Sequence, residues 1–293
     1  MMRRTVSVFT VALLTAGVAA AVAGPAAAAP DLPAITTSPF VALGDSYSSA
    51  AGVTPLFPGA PATCSRSKRN FAEIIANKTT PSSFTDVTCS GARTSDFFGA
   101  QAPGVAPQLD AVTRSTRLVT MTIGGNDEGV FVDSFFGCAA ISSTDVLGNP
   151  CEQKYGNSFV SKIRNQTYPH LVAALTAVME KAPNATVVIV GYPRILPLTG
   201  ELTCYPSVPI SMGDVPWLNH QQDVMNSVLA RAAEQTGAHY IDLSRSSLGH
   251  DACKPAYQRW IEPAVAPVNA YPVHPNATGE RAMARQTLLQ LGL

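Results

Sequence analysis

The stretch Phe40-Val41-Ala42-Leu43-Gly44-Asp45-Ser46-Tyr47-Ser48 joins an apolar run directly to a polar turn. The apolar run, residues 40–43, has no polar alternation, which is typical of a parallel strand that is covered on both faces. The sequence therefore places the Ser46 hydroxyl where a buried strand breaks into a turn. Such a position can present a nucleophile.

Other apolar runs of strand length follow along the chain, at residues 84–87, 118–123, 186–190 and 239–243. Helical patterns lie between them, in the segment that begins at Asn70 and in residues 169–181, 218–235 and 278–291. Asn70 and Glu73 fit an N-cap box. This alternation predicts an α/β fold, a three-layer sandwich with a mostly parallel sheet. Right-handed crossovers then place the strand ends, and any site, at one edge.

The first residues of the chain follow a secretory pattern: Arg3 and Arg4, an apolar Ala/Val/Leu run, and small residues before Pro30. We expect residues 1–28 to be a signal peptide and residues 29–293 to form a single domain. The apolar run dissolves into Ala and Gly before the length of about 20 residues that a membrane span needs. The expected location is therefore extracellular, with Sec as the default export route and twin-arginine export as the alternative.

The charges of the chain cancel, with 20 basic and 20 acidic residues, and no basic run occurs. Nucleic acid is therefore not expected as a partner. The sequence contains no His-Glu-x-x-His, phosphate-binding or dinucleotide-binding motif, so no metal or other cofactor is expected. We expect a monomer.

Three short blocks follow Ser46 in order: Cys89-Ser90-Gly91-Ala92-Arg93, Gly124-Gly125-Asn126-Asp127 and Val273-His274-Pro275-Asn276. Together the four blocks supply a nucleophile, two oxyanion donors and a base. They resemble the SGNH (GDSL-type) hydrolase family, with Tyr47 where the family name has Leu. The resemblance runs from Phe40 to the last helix and implies a flavodoxin-like sheet. Within the family, the chain resembles secreted actinobacterial esterases and lipases with three disulfides.

Ser46 is the predicted nucleophile, because a serine hydroxyl needs a neighbouring base and the family places one in its last block. Among the five histidines, His274 is preferred as that base. It lies in a Pro-bounded loop before the last helix, where proline fixes the backbone. Ser48 and Ser49 lie further into the turn and are expected to cap or fill it.

Three N–H donors are predicted to stabilise the oxyanion: the backbone amides of Ser46 and Gly91 and the side-chain amide of Asn126. Gly91 lacks a Cβ, so a substrate oxygen can approach its amide closely. Asn126 follows two glycines at the end of a predicted strand.

The commonest pattern of the family has an acid three residues before the base, where this chain has Tyr271. A phenol cannot supply the carboxylate of a Ser-His-Asp triad. Some family members use a backbone carbonyl instead, so we predict that the carbonyl of Tyr271 orients His274. Asp242 and Asp251 stay open as carboxylates from elsewhere in the fold.

The six cysteines favour disulfides in an exported chain, and none forms a Cys-x-x-Cys pair. The residues alone permit about 15 pairings. The family resemblance implies sequential closure: Cys64 with Cys89, Cys138 with Cys151, and Cys204 with Cys253. Two of these pairs involve stretches predicted to be irregular, residues 128–158 and 192–216.

Apolar side chains cluster just beyond both oxyanion blocks: Phe97, Phe98, Val130, Phe131, Phe135 and Phe136. They could line a lipid-binding cleft, or they could pack in the core. The sequence thus predicts a secreted serine esterase or lipase with a Ser-His acyl-enzyme mechanism, whose expected partner is a small-molecule or lipid ester substrate. A phospholipase or acyltransferase with the same machinery is the alternative, followed by a non-catalytic binder of lipid or carbohydrate.

Overall fold

The computed structural model describes residues 37–293. Its centre is a parallel sheet of five strands in the order β2-β1-β3-β4-β5. The strands are β1 (Phe40–Ala42), β2 (Phe84–Asp86), β3 (Leu118–Met121), β4 (Thr186–Val190) and β5 (His239–Ile241). All five predicted strands are confirmed, and four of them end one or two residues earlier than the apolar runs do. The order is that of flavodoxin-like sheets, as predicted.

The four predicted helices are confirmed, with bounds within three residues of those expected, and four short helices are added to them. They are α1 (Ser46–Ser49), α2 (Phe71–Thr79), α3 (Gly137–Ile141), α4 (Pro150–Tyr155), α5 (Ser158–Lys162), α6 (Tyr168–Lys181), α7 (Val215–Thr236) and α8 (Ala277–Leu291), with π-helical turns at Val132–Phe136 and Ile163–Thr167. The Asn70 side chain caps α2 by accepting the Glu73 N–H at 2.8 Å.

Both faces of the sheet are buried, which explains the apolar runs without alternation. One face packs on α2 and α8 through Phe40, Ala42, Val188, Val190, Phe71, Ile75, Met283 and Leu288. The other face packs on α6 and α7 through Val41, Val119, Val187, Ile189, Leu171, Leu175 and Leu229. Successive strand residues thus alternate between two apolar layers, and the predicted three-layer sandwich is confirmed.

The strand order reverses between β1 and β3, which lie side by side with β2 outside β1. In open α/β sheets this reversal creates a crevice at the carboxyl ends of the strands. The segment after β1 begins α1 at Ser46, and the segment after β3 contains Asn126. The crevice is therefore where two of the predicted site residues meet.

The three disulfides are Cys64–Cys89, Cys138–Cys151 and Cys204–Cys253, so the sequential pairing is confirmed. The expectation that residues 128–158 are irregular is wrong, since they contain a π-helical turn, α3 and α4. These short helices are held by long-range contacts, because Asp214 accepts the N–H groups of Cys151 and Glu152 at the start of α4.

The predicted signal peptide, residues 1–28, lies outside the described residues. In the part of the chain from residue 37 onward, no helix combines the length and apolarity that crossing a membrane requires.

Candidate active site

Ser46 is the first residue of α1, directly after the turn that ends β1. The Asp45 carboxylate caps this short helix by accepting the Tyr47 N–H at 3.0 Å. Gly44 allows the sharp turn, because its φ is 119° and an added Cβ would lie 2.3 Å from the Thr122 carbonyl oxygen. The chain therefore leaves the strand abruptly and presents Ser46 at the crevice.

The Ser46 hydroxyl lies 2.7 Å from Nε2 of His274. On the other side of the ring, Nδ1 lies 2.7 Å from the carbonyl oxygen of Pro272. A neutral imidazole that donates from Nδ1 accepts at Nε2, so this arrangement fits a base facing the serine. Burial lowers the pKa of His274 to about 4, although the hydrogen bond to Pro272 opposes the shift. The imidazole is thus neutral near pH 7.

The carbonyl that contacts His274 belongs to Pro272, so the prediction of the Tyr271 carbonyl is wrong by one residue. The Tyr271 carbonyl instead accepts the backbone N–H of His274 at 3.2 Å, which closes a tight turn. Val273 lies inside this turn with a φ of 55°. The Tyr271 carbonyl is thus used by a main-chain hydrogen bond, and the Pro272 carbonyl is left to bind the His274 ring.

Neither alternative carboxylate reaches His274. Asp242 accepts hydrogen bonds from Ser244, and Asp251 accepts the Cys253 N–H at 3.0 Å. Within residues 37–293 no carboxylate forms a hydrogen bond or ion pair with His274. The arrangement of the described residues is a Ser-His pair oriented by the main chain.

A buried glutamate holds the loop that carries His274. The backbone of Glu262 pairs with this loop, donating to the His274 carbonyl at 2.9 Å and accepting the Val273 N–H at 3.1 Å. Its carboxylate binds Arg259 at 2.6 Å and Asn276 at 3.0 Å. Burial opposes ionisation of Glu262, but hydrogen bonds from Arg259, the Val268 N–H and Asn276 outweigh it and lower its pKa.

The predicted oxyanion donors lie around the same crevice. The Asn126 side chain shares a cavity with Ser46, and its Nδ2 donates to the Ala92 carbonyl at 3.0 Å. Gly91, next to Ala92, has a φ of 79° and open space where a Cβ would be, with Gln101 Nε2 the nearest atom at 3.7 Å. Within the described chain, the N–H groups of Ser46 and Gly91 donate to no protein acceptor. Gly91 itself does not line the cavity.

A mostly apolar cavity of about 80 Å³ lies beside Ser46. Its lining comprises Asp45, Ser46, Tyr47, Gly125, Asn126, Val130, Phe131, Ser134, Phe135, Tyr192, Ile195, Leu196, Leu218, Gln221, Gln222 and Met225. Of the six apolar residues singled out in the sequence, Val130, Phe131 and Phe135 line it. Phe97 is buried in the core, whereas Phe98 and Phe136 are exposed and outside the lining. The remainder of the apolar wall comes from α7 and the loop after β4.

The sequence reasoning missed the roles of Asp45 and Tyr192. Asp45 is buried, which raises the pKa of its carboxyl to about 6, although hydrogen bonds from Thr122 and Tyr192 oppose the shift. The Tyr192 hydroxyl donates to Asp45 Oδ2 at 2.5 Å and accepts the Gly125 N–H at 2.9 Å. The available signal was position, because Tyr192 follows the end of β4 at the same sheet edge.

Between residues 37 and 293, one group has ligand atoms close enough for a metal: Cys138, Cys151 and Asp214. The two sulfur atoms are bonded to each other, and the carboxylate caps α4. This group is accounted for by its structural contacts.

Residues 42–282 match the family described as "GDSL-like Lipase/Acylhydrolase family". Lipase 2 of Streptomyces coelicolor is 46% identical over 292 residues, covering 99% of this chain and 96% of that protein. Two solved structures each superpose with a TM-score of 0.72 at 30% identity over 87% of this chain: phospholipase A1 from Streptomyces albidoflavus, covered to 98%, and an extracellular lipase from Streptomyces rimosus, covered to 99%.

Proposed function

Because the chain belongs to the GDSL-like lipase/acylhydrolase family and is therefore an ester hydrolase, we propose that it is a secreted esterase or lipase that works through a Ser46 acyl-enzyme. The observation that carries the mechanism is the 2.7 Å contact between Ser46 Oγ and His274 Nε2. This distance lies in the range that a nucleophile and its general base need.

In the proposed first half-reaction, Ser46 Oγ bonds to the ester carbonyl carbon while its proton passes to His274 Nε2. The tetrahedral oxyanion accepts hydrogen bonds from the Ser46 and Gly91 N–H groups and the Asn126 amide. The bond from carbon to the alkoxy oxygen then breaks, and the leaving alcohol takes the proton from His274. The Pro272 carbonyl stabilises the transient imidazolium through Nδ1.

In the second half-reaction, His274 removes a proton from water as the water oxygen bonds to the acyl carbon. The bond to Ser46 Oγ then breaks, and the proton returns to the serine. The cavity beside Ser46 would hold the acyl chain, since Val130, Phe131, Leu218 and Met225 supply apolar walls.

Secretion is supported by the three disulfides, because such bonds form and persist in oxidising compartments. A structural neighbour from Streptomyces rimosus is described as extracellular.

A phospholipase is the second candidate, favoured by the similarity to a structure described as phospholipase A1 from Streptomyces albidoflavus. The two candidates share one site and differ in the alcohol that leaves. They are separated by comparing triglycerides and p-nitrophenyl esters with diacyl phospholipids.

The mechanism is tested with Ser46→Ala and His274→Ala on p-nitrophenyl esters, combined with fluorophosphonate labelling. Both variants should fall to near background while staying folded, because nucleophile and base act as one unit. Labelling should be lost in Ser46→Ala. The matched control is Ser49→Ala, since the Ser49 hydroxyl makes only a 3.4 Å contact to the Ser46 carbonyl. Turnover retained by Ser46→Ala would rule out the proposed nucleophile.

A further inference from the structure

Tyr192 lies between two turns of the active site and is rigidly anchored. It follows β4 and is 7% exposed. The Asn226 side chain of α7 binds both main-chain polar groups of Tyr192, accepting its N–H at 2.9 Å and donating to its carbonyl at 2.9 Å. The ring packs edge-on against that of Tyr47 at 5.1 Å. The position of the Tyr192 hydroxyl is therefore set by the sheet and α7.

On one side, this hydroxyl holds the nucleophile turn. It donates to Asp45 Oδ2 at 2.5 Å, while Oδ1 of the same carboxylate accepts from the Tyr47 N–H at 3.0 Å and from Thr122 Oγ1 at 2.6 Å. Asp45 is the cap of α1 and directly precedes Ser46. The contact to this carboxylate therefore helps to fix the main chain at Ser46.

On the other side, the same oxygen accepts the Gly125 N–H at 2.9 Å. Gly125 belongs to a turn closed by the Asp127 N–H and the Gly124 carbonyl at 3.1 Å, and Gly124 has a φ of 100°. Two successive glycines give this turn conformational freedom. The next residue is Asn126, the proposed oxyanion donor. Fixing the Gly125 N–H therefore fixes the main chain from which the Asn126 side chain extends.

We propose that Tyr192 is a positioning residue that sets the distance between the Ser46 turn and the Asn126 amide. It acts through Asn126 and does not touch the reacting atoms. The inference rests on the proposed function, since it assigns to Tyr192 a part in the same ester hydrolysis. A preorganised donor needs no reorganisation during the reaction, so the fixed turn raises turnover more than substrate affinity.

The first test is Tyr192→Phe, which keeps the ring and removes the bridging hydroxyl. We expect kcat for p-nitrophenyl esters to fall about 10- to 100-fold, less than the loss of a whole oxyanion donor, and KM to change little. The control is Tyr168→Phe, because Tyr168 does not line the cavity. This variant removes a phenol hydroxyl that donates to Gln235 Oε1 at 2.6 Å. This control should keep wild-type kcat.

A double-mutant cycle distinguishes positioning from a general structural effect. If Tyr192 acts through Asn126, then Tyr192→Phe should cost little additional kcat in an Asn126→Ala background, whereas its effect on thermal stability should be the same in both backgrounds. The proposal would be overturned if the kcat loss of the double variant equalled the product of the losses of the two single variants. Wild-type kcat in folded Tyr192→Phe would overturn it as well.

A second variant keeps the proposal testable if Tyr192→Phe does not fold. A Cβ on Gly125 would lie 2.9 Å from the Tyr192 hydroxyl oxygen, so Gly125→Ala pushes the turn and the hydroxyl apart while retaining both. It should lower kcat with little change in KM, and unchanged kcat would reject the role of Tyr192. Failure of the proposed function is a separate result, seen as wild-type turnover in Ser46→Ala.

Discussion

The Tyr47 hydroxyl donates a 2.7 Å hydrogen bond to the carbonyl of Val273, the residue before His274. Its ring also packs against the His274 imidazole, with the ring centroids 5.1 Å apart. Val273 has a φ of 55°, which a β-branched residue rarely adopts. The residue after the proposed nucleophile thus supports the strained turn that carries the proposed base.

Tyr47→Phe removes this hydrogen bond and leaves the ring in place. One hydrogen bond contributes about 0.5–1.5 kcal/mol, so we expect a loss of about 2- to 13-fold in kcat/KM if the turn relaxes by that amount. Steady-state kinetics on a p-nitrophenyl ester measures the effect. Unchanged kcat/KM in the folded variant would show that the turn holds without Tyr47.

Tyr271→Phe should keep most of the turnover, because it removes only the hydroxyl that bonds to Ser65 Oγ at 2.8 Å. The ring, which lies edge-on to the His274 imidazole with the centroids 6.3 Å apart, is retained. Asp242→Asn should be tolerated as well, since the Asp242 carboxylate accepts a hydrogen bond from the Ser244 N–H and makes none with His274. A triad carboxylate would behave differently, because its amide replacement can cost about 10⁴-fold in kcat. Collapse of turnover in a folded Asp242→Asn protein would refute a base oriented by the Pro272 carbonyl.

The pH dependence of kcat/KM should show that activity persists at acidic pH. If His274 is the base, as proposed, its neutral form is the active one. Burial lowers its pKa to about 4, so kcat/KM should persist well below pH 6 and fall as pH drops through about 4. Asp45, whose carboxyl has a pKa raised by burial to about 6, can add a separate inflection. Profiles of the wild type and Asp45→Asn separate the two, with circular dichroism at each pH to verify folding. A midpoint near 6.5 that persists in Asp45→Asn contradicts this assignment.

Glu280→Gln should change how stability depends on pH. Glu280 is fully buried, and its Oε2 accepts the Phe71 N–H at 2.8 Å. Burial raises its pKa well above 4.5, with Asp45 adding to the shift. The folded state therefore holds this proton more tightly than the unfolded state, and the stability it contributes below pH 4.5 is lost as pH rises towards the folded pKa.

The glutamine variant carries no proton to lose, so its Tm relative to wild type should rise with pH above 4.5. Thermal unfolding between pH 4 and pH 8 measures this difference. A constant difference across that range would mean that Glu280 ionises as readily in the folded protein as in the unfolded chain.

Local patterns predicted the strands and turns that position the candidate site. The apolar runs identify strands buried on both faces, and the order of the four blocks brings together Ser46, Asn126 and His274. These predictions depend on short segments, in which a few residues determine both the strand end and the turn that follows it.

Other parts of the site depend on packing between distant segments. Whether Tyr271 or Pro272 supplies the carbonyl that contacts the His274 ring depends on which of the two carbonyls closes the turn around Val273. Tyr192 gains its role only because β4 ends beside the Asp45 and Gly125 turns. The α7 contribution to the cavity, including Leu218 and Met225, follows from how that helix lies against the sheet. None of these relationships has a signature in a short window of sequence.

Ser46 and His274 are 228 positions apart in the chain. During synthesis the amino-terminal portion emerges first, at about 5–20 residues per second, so Ser46 is made well before His274. Under the proposed mechanism, a chain that stops before residue 274 contains Ser46 without its base, so it should hydrolyse no ester. Ester turnover then reports whether two segments that lie far apart in the chain have come together in the fold.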